Sequence, residues 1–190
     1  MSFIIPYHFQ KKILFGFTLM LIGLTSQILE AEISTETQIS VTTAFSQTER
    51  LRRHTKYLKK TKSCPYCDLS RANLSGVDLN GADLRRSVLT GAVMKNIKLI
   101  GANLTGAVLY GANLKGANLN KANLTGAYIV NANLTKTTLK KAVLKGTIFF
   151  KTNLRAADMT GADLKEINLT DALLCQTRMP SGKRNNSNCD

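Results

Sequence analysis

The chain has 190 residues, enough for one domain with flanking segments. Its 26 Lys and Arg outweigh 12 Asp and Glu, for a formal charge of +14. This balance excludes a predominantly acidic surface; it suits either a solvated exterior or contact with anionic partners such as nucleic acid and lipid head groups.

Residues 1–31, MSFIIPYHFQKKILFGFTLMLIGLTSQILEA, place Lys11 and Lys12 before an uncharged run at 13–24. That is the pattern of a secretory signal peptide, with cleavage expected near Ala31. Extended to Leu29, the uncharged run approaches the length of a membrane span, so an uncleaved N-terminal membrane anchor is the alternative. Residues 32–43 are rich in Thr and Ser and read as a flexible linker. Residues 44–62, AFSQTERLRRHTKYLKKTK, read as a basic helix with Ala44, Leu51 and Leu58 at helical spacing.

From 63 to 176 a different periodicity takes over. Counting in fives from Leu69 to Leu174, every one of 22 positions is apolar: Leu except for Met94, Ile129, Phe149 and Met159. Two residues earlier in each unit the chain prefers a small residue, Ala at 14 of the 22 sites. Ten of the 13 glycines fall two residues after the apolar position. A period of five fits neither a straight helix nor a flat strand. It requires a chain that turns at every unit, and a phased glycine marks a phased corner. The prolines at 6, 65 and 180 all lie outside the phased units, as a backbone hydrogen-bonded stack requires.

Such a short internal repeat marks a solenoid. The units ANLTG, ANLKG, ANLNK, ADLRR and ADLKE resemble the pentapeptide repeat family, whose unit is A-(D/N)-L-x-x, and the resemblance covers 67–176. It implies an all-β fold, a right-handed quadrilateral β-helix in which four units make one coil. Residues four units apart then stack, and the 22 units make about 5.5 coils. The apolar residue and the small one point inward, and the other three point outward. A solenoid must cover its terminal apolar coil, so the helix at 44–62 is expected to cap it. A membrane-surface or nucleic-acid helix is the alternative.

Four cysteines border the repeat: Cys64 and Cys67 in CPYCDLS, and Cys175 and Cys189 around the 177–190 tail. Both borders resemble secreted members of the family. Cys67 and Cys175 stand at opposite ends of the repeat, more than five coils apart, so one metal ion cannot reach both. An even count in an exported chain implies disulfides. One staple at each end, Cys64 with Cys67 and Cys175 with Cys189, is the pairing expected; a redox role for C-x-x-C is the alternative.

Little else points to chemistry. His8 lies in the signal segment and His54 stands alone in the basic helix. Asp78, Asp83, Asp158 and Asp163 fill the repeat's own Asp/Asn position. No G-x-S-x-G, H-E-x-x-H or phosphate loop occurs. The reading is therefore a non-enzymatic protein, with no catalytic residues, no metal site and no cofactor.

Sorting outward positions by face gives two candidate surfaces. One face carries Val88, Val108, Tyr128 and Ile148, flanked by Tyr110, Val130 and Phe150, where other faces carry mostly Asn, Asp, Lys and Thr. It is read as an interface for a protein partner or a second copy. Another face aligns Lys95, Lys115 and Arg155, with Lys136 adjacent, a basic stripe suited to an anionic polymer or membrane surface. The family's best-known activity is mimicry of DNA toward type II topoisomerases by acidic rods. This repeat holds 14 basic and 7 acidic residues, the opposite sign, so gyrase is not an expected partner. The expectation is an exported, periplasmic or secreted scaffold that binds protein through its flat faces, with polyanion binding as the alternative.

Overall fold

In the computed structural model the described residues are 46–189. The signal pattern at 1–31 and the linker at 32–43 lie outside them. Helix α1 spans 46–61 among the described residues. Its apolar stripe follows helical geometry: Leu51 is half-buried and Leu58 fully buried, while Arg52, Arg53, Lys56, Lys59 and Lys60 face solvent. The helix ends where Lys62 turns to φ 55° and its N–H donates to the Leu58 carbonyl at 2.8 Å. This is the left-handed helix stop. Leu58 joins the same apolar cluster as Cys64, Leu69 and Leu74.

Beyond α1 the chain builds a ladder from single-residue bridges rather than from long strands. Parallel bridges join Ser63 to Asp83, Asp68 to Val88, Asn73 to Val93 and Asp78 to Lys98, then begin again at Asp83 with Asn103. Each bridge joins a residue to its counterpart four units further on, and successive bridges start one unit apart, so the coil has four sides.

The backbone accounting explains the unit A-(D/N)-L-x-x. The central amide donates one coil onward, as Leu69 does to the Val88 carbonyl at 2.8 Å. The corner amide does the same, Arg71 to Thr90 at 2.8 Å. The small residue's amide closes the corner, Ala72 to Leu69 at 3.0 Å. The Asp/Asn-position amide donates one coil back, as Val88 does to Cys67 at 2.9 Å. The remaining amide, just after the central residue, is capped by the Asp or Asn side chain two residues before it, as in Ser75 to Asn73 Oδ1 at 3.2 Å. An Asp or Asn at that site therefore satisfies a donor the coil itself cannot.

The corners turn through positive φ. Between 66 and 176, all ten phased glycines and twelve non-glycine residues at the same phase, among them Arg71, Lys121 and Lys136, have φ from 51° to 72°. Asp171 is the one phased corner outside this set. Inside, the central residues from Leu69 to Met159 are at most 2% exposed. Ser87, Thr137, Thr147 and Thr152 are buried at small-residue sites. Their hydroxyls are satisfied: Thr137 donates to the Leu114 carbonyl at 2.9 Å, Thr147 to Leu124 at 2.8 Å, Thr152 to Ile129, and Ser87 to Leu84 at 2.8 Å.

The stretch 177–190, read from the sequence as a tail, begins as a continuation of the ladder. Thr177 is buried with its hydroxyl 2.7 Å from the Leu154 carbonyl, and Arg178 bridges Asp158. Strand β1 (Thr177–Arg178) then pairs antiparallel with β2 (Arg184–Asn185). The count in fives passes 176 because Thr177 is small enough for an inward site and Met179 is apolar at the next. Cys175 is bonded to Cys189 and Cys64 to Cys67, with Cα separations of 4.6 and 5.4 Å.

The corner geometry is testable where nothing else interferes. A Cβ at Gly101 would meet no atom within 4 Å, while φ there is +66°. Gly101→Ala should therefore cost about 1 kcal/mol in denaturant unfolding, from backbone strain alone. Gly116→Ala should cost about as much, because the Asn96 side-chain oxygen that its Cβ would meet ends an exposed side chain free to turn away.

Candidate functional site

Val88, Val108, Tyr128 and Ile148 stand in one unbroken bridge column. Beside them, the Gly111 amide donates to the Val130 carbonyl and the Asn131 amide to Phe150, which stacks Tyr110, Val130 and Phe150 one position further along the coil. Tyr110, Tyr128, Ile148 and Phe150 are 45–51% exposed, and the valines are half-buried. Asn131 Nδ2 donates to the Tyr110 hydroxyl at 3.1 Å, and the Lys151 ammonium lies 5.3 Å from the Phe150 ring centroid. Because this column lacks Asp and Asn over four coils, the amides of Thr90, Tyr110, Val130 and Phe150 have no side-chain cap of the kind that Ser70 and Thr170 keep at its two ends. The face exposes apolar surface and gives up four hydrogen bonds to do so.

The basic stripe occupies a different side. Lys95, Lys115 and Lys136 are exposed and Arg155 is half-buried. Their column keeps most of its caps, with Asn113 and Asn153 accepting from the Lys115 and Arg155 amides at 3.2 and 3.0 Å, while Val93 stands at the capping position before Lys95. Among the described residues the cross-coil ion pairs lie elsewhere, at Lys62–Asp78, Lys140–Asp158, Arg178–Asp158 and Lys145–Glu166, so no carboxylate neutralises Lys95, Lys115 or Lys136.

Nothing among the described residues assembles a catalytic or metal-binding group. No cluster of His, Cys, Asp or Glu there could hold a metal ion, and no helix there is long and apolar enough to cross a membrane. His54 Nδ1 lies 2.9 Å from the Asp68 carbonyl, a contact that ties α1 to the first coil. The carboxylates serve the ladder. A side-chain bond from Ser70 holds Asp68 below the ordinary value of 3.8, the Asn80 amide does so for Asp78, and the Arg85 guanidinium for Asp83. Burial works against ionisation of Asp158, but bonds from Thr160 and Lys140 outweigh it.

A second feature escaped the sequence reading. On the apolar face the ladder opens between the last two coils. Ile148 and Asn168 form no bridge, although each earlier pair in that column does. One coil before, Ile129 donates to Ile148, Asn131 to Phe150, and Ile148 to Ala127. The equivalent bonds from Phe149, Lys151 and Asn168 are absent among the described residues. A cavity of about 240 Å³ fills the gap, lined by Gly146, Thr147, Ile148, Phe149, Phe150, Glu166, Asn168 and Asp171. Ile167 and Leu169, at inward positions, are only partly buried there. Bulky Phe149 faces Leu169, with Ile167 where the repeat prefers Ala, and this oversized layer coincides with the separation. The sequence signal was the unit INLTD: a large residue at the small site and Asp171 at the corner.

The family profile described as Pentapeptide repeats matches eight copies in overlapping segments from 67–106 to 139–176. Several solved structures are similar. A pentapeptide repeat protein from the Arabidopsis thaliana thylakoid lumen is 34% identical over 58% of this chain and 70% of its own, with a TM-score of 0.40. HetL, a pentapeptide repeat protein involved in heterocyst differentiation regulation from the cyanobacterium Nostoc, is 29% identical over 65% and 76%, with a TM-score of 0.30. Rfr23 from the cyanobacterium Cyanothece is 25% identical over 68% and 96%, also at 0.30. A comparison with curated proteins found no match.

The depressed aspartates set an acid limit on the fold. Their stabilisation is present above the unfolded value of 3.8 and is lost as pH falls through their lower folded values. The melting temperature should hold steady from neutrality to about pH 5 and fall below about pH 4. Asp83→Asn should reduce that fall, as read by thermal melts across the range.

Proposed function

The chain belongs to the pentapeptide repeat family, and on that premise we propose that it is a non-enzymatic, exported binding module whose apolar face docks a second protein surface. In this reading α1 caps the first coil of a right-handed solenoid of about 5.5 coils, with four units to a coil. Export rests on Lys11 and Lys12 before the uncharged run at 13–24, and two disulfides suit an oxidising compartment. The observation that carries the proposal is the column of Val88, Val108, Tyr128 and Ile148 beside Tyr110, Val130 and Phe150. An apolar patch that extends over several coils and forgoes backbone caps marks a contact surface rather than a solvated one. A flat ladder face presents it without loops in the way.

A second reading draws on Lys95, Lys115 and Lys136, which have no carboxylate neighbour among the described residues. Together with Arg155 they would attract an anionic polymer or a lipid surface. Salt separates the two readings. A polyanion contact weakens steeply with added salt, whereas an apolar contact persists.

The test is the double variant Tyr110→Asp with Tyr128→Asp, on the outward side of the ladder. It should keep its melting temperature within a few degrees and lose self-association in sedimentation, or lose the partner captured from the extracytoplasmic fraction. Wild-type capture should survive high salt. A folded variant that associates as the wild type does would reject the apolar face, and capture abolished by moderate salt would favour the basic stripe.

A further inference from the structure

We propose that the opened ladder between the last two coils is an acceptor site for an extended peptide segment carrying an apolar residue beside a basic one. The proposal goes beyond the apolar face, although the site lies at its lower end and shares Ile148 and Phe150 with it. Three donors and three acceptors lose their ladder partners there. The amides of Phe149, Lys151 and Asn168 make no bond, and the carbonyls of Thr147, Asn168 and Thr170 receive none, among the described residues. Every earlier coil on this face makes those bonds. Paired β edges that face each other across a gap are templates for a strand, because an extended backbone offers donors and acceptors at the matching spacing. A small molecule or a flat protein surface does not.

The gap is more than an edge. Its cavity of about 240 Å³ has an apolar lining in Ile148, Phe149 and Phe150, large enough for one aliphatic or aromatic side chain. Ile167 and Leu169, at the inward positions that flank Asn168, are only partly buried. The only charged side chains that line it are Glu166 and Asp171, both carboxylates, in a repeat whose charge is otherwise mostly positive. Glu166 has Lys145 at 3.2 Å in an exposed pair, while Asp171 makes no ion pair among the described residues. Asp171 is also the corner outside the positive-φ series, which marks where the two coils part. The occupant is thus an extended segment that alternates apolar and polar residues and sets Lys or Arg next to the buried side chain. A bound strand would give new partners to those three amides and three carbonyls.

The probe is a blocked, fluorescein-labelled peptide, Thr-Val-Lys-Val-Arg-Val-Thr, titrated into the full chain by anisotropy and followed by amide hydrogen exchange. In the free protein the amides of Phe149, Lys151 and Asn168 should exchange fast, while those of Ile129 and Asn131 stay protected. Saturating peptide should slow exchange at those three amides. Methylating the peptide's alternate backbone nitrogens should weaken binding by about tenfold or more, the size of losing one or two hydrogen bonds. Asp171→Lys should weaken it similarly for this peptide, but not for one with Thr in place of Lys and Arg. Tyr110→Asp with Tyr128→Asp should leave binding unchanged, and Asp171→Lys should leave the association of the apolar face unchanged, so each site can fail without the other. Phe149 and Lys151 amides protected in the free protein would overturn the proposal. So would no binding up to millimolar peptide, or equal binding by the methylated peptide.

Discussion

The whole structure depends on one return: each residue must meet its counterpart four units on, so that the coil above and the coil below share backbone hydrogen bonds. No side-chain contact substitutes for this. A coil that missed its register would leave several amides and carbonyls unpaired and would turn the Leu ladder out of the core. The left-handed corners, the small inward residue and the buried Leu all serve that return. Narrow packing leaves room for one large and one small side chain per unit. Where hydroxyls replace Ala, as at Thr137 and Thr147, they donate to a carbonyl of the preceding coil and so join the same network.

The Asp/Asn position is where structure and function compete. Its side chain caps the one amide that the coil cannot satisfy, as Asn113 and Asn133 do for Lys115 and Thr135. The other three columns lose the cap at isolated coils, as at Val93, Lys98, Thr138 and Val143. The column Val88, Val108, Tyr128 and Ile148 abandons it over four successive coils and sets aromatic rings beside it. The amides left behind are solvent-facing, so the direct cost is modest, but nothing in the solenoid itself gains from the exchange. In the reading proposed above, that gain comes from a protein surface that covers the face.

Much of this was legible from residue spacing. The inward ladder, the phased corners and the membership of the apolar column follow from counting in fives, because in a solenoid sequence distance becomes spatial position. Two features were not legible. Glycine marked only ten of the corners, and Lys121, Lys136 and Ala156 adopt the same positive φ without any signal in their side chains. Tertiary pairing imposes that backbone whatever the residue prefers. The opening at Ile148 and Asn168 was also missed; it coincides with a layer in which Phe149, Ile167 and Leu169 fall together across two coils. Each of those residues is individually acceptable to the repeat; their coincidence in one layer is a packing fact that a position-by-position reading does not register.

The central claim is that the central position of a unit and the Asp/Asn position beside it answer to opposite environments, and thermal melts of two variants test it directly. Leu114 is 2% exposed and Val108 is half-buried on the outer face. Leu114→Asp would bury an unpaired charge in a narrow core and should abolish cooperative folding. Val108→Asn would return a cap to the Tyr110 amide and should melt no lower than the wild type. A soluble, cooperatively melting Leu114→Asp, or a Val108→Asn that unfolds, would contradict the register from which the rest is built.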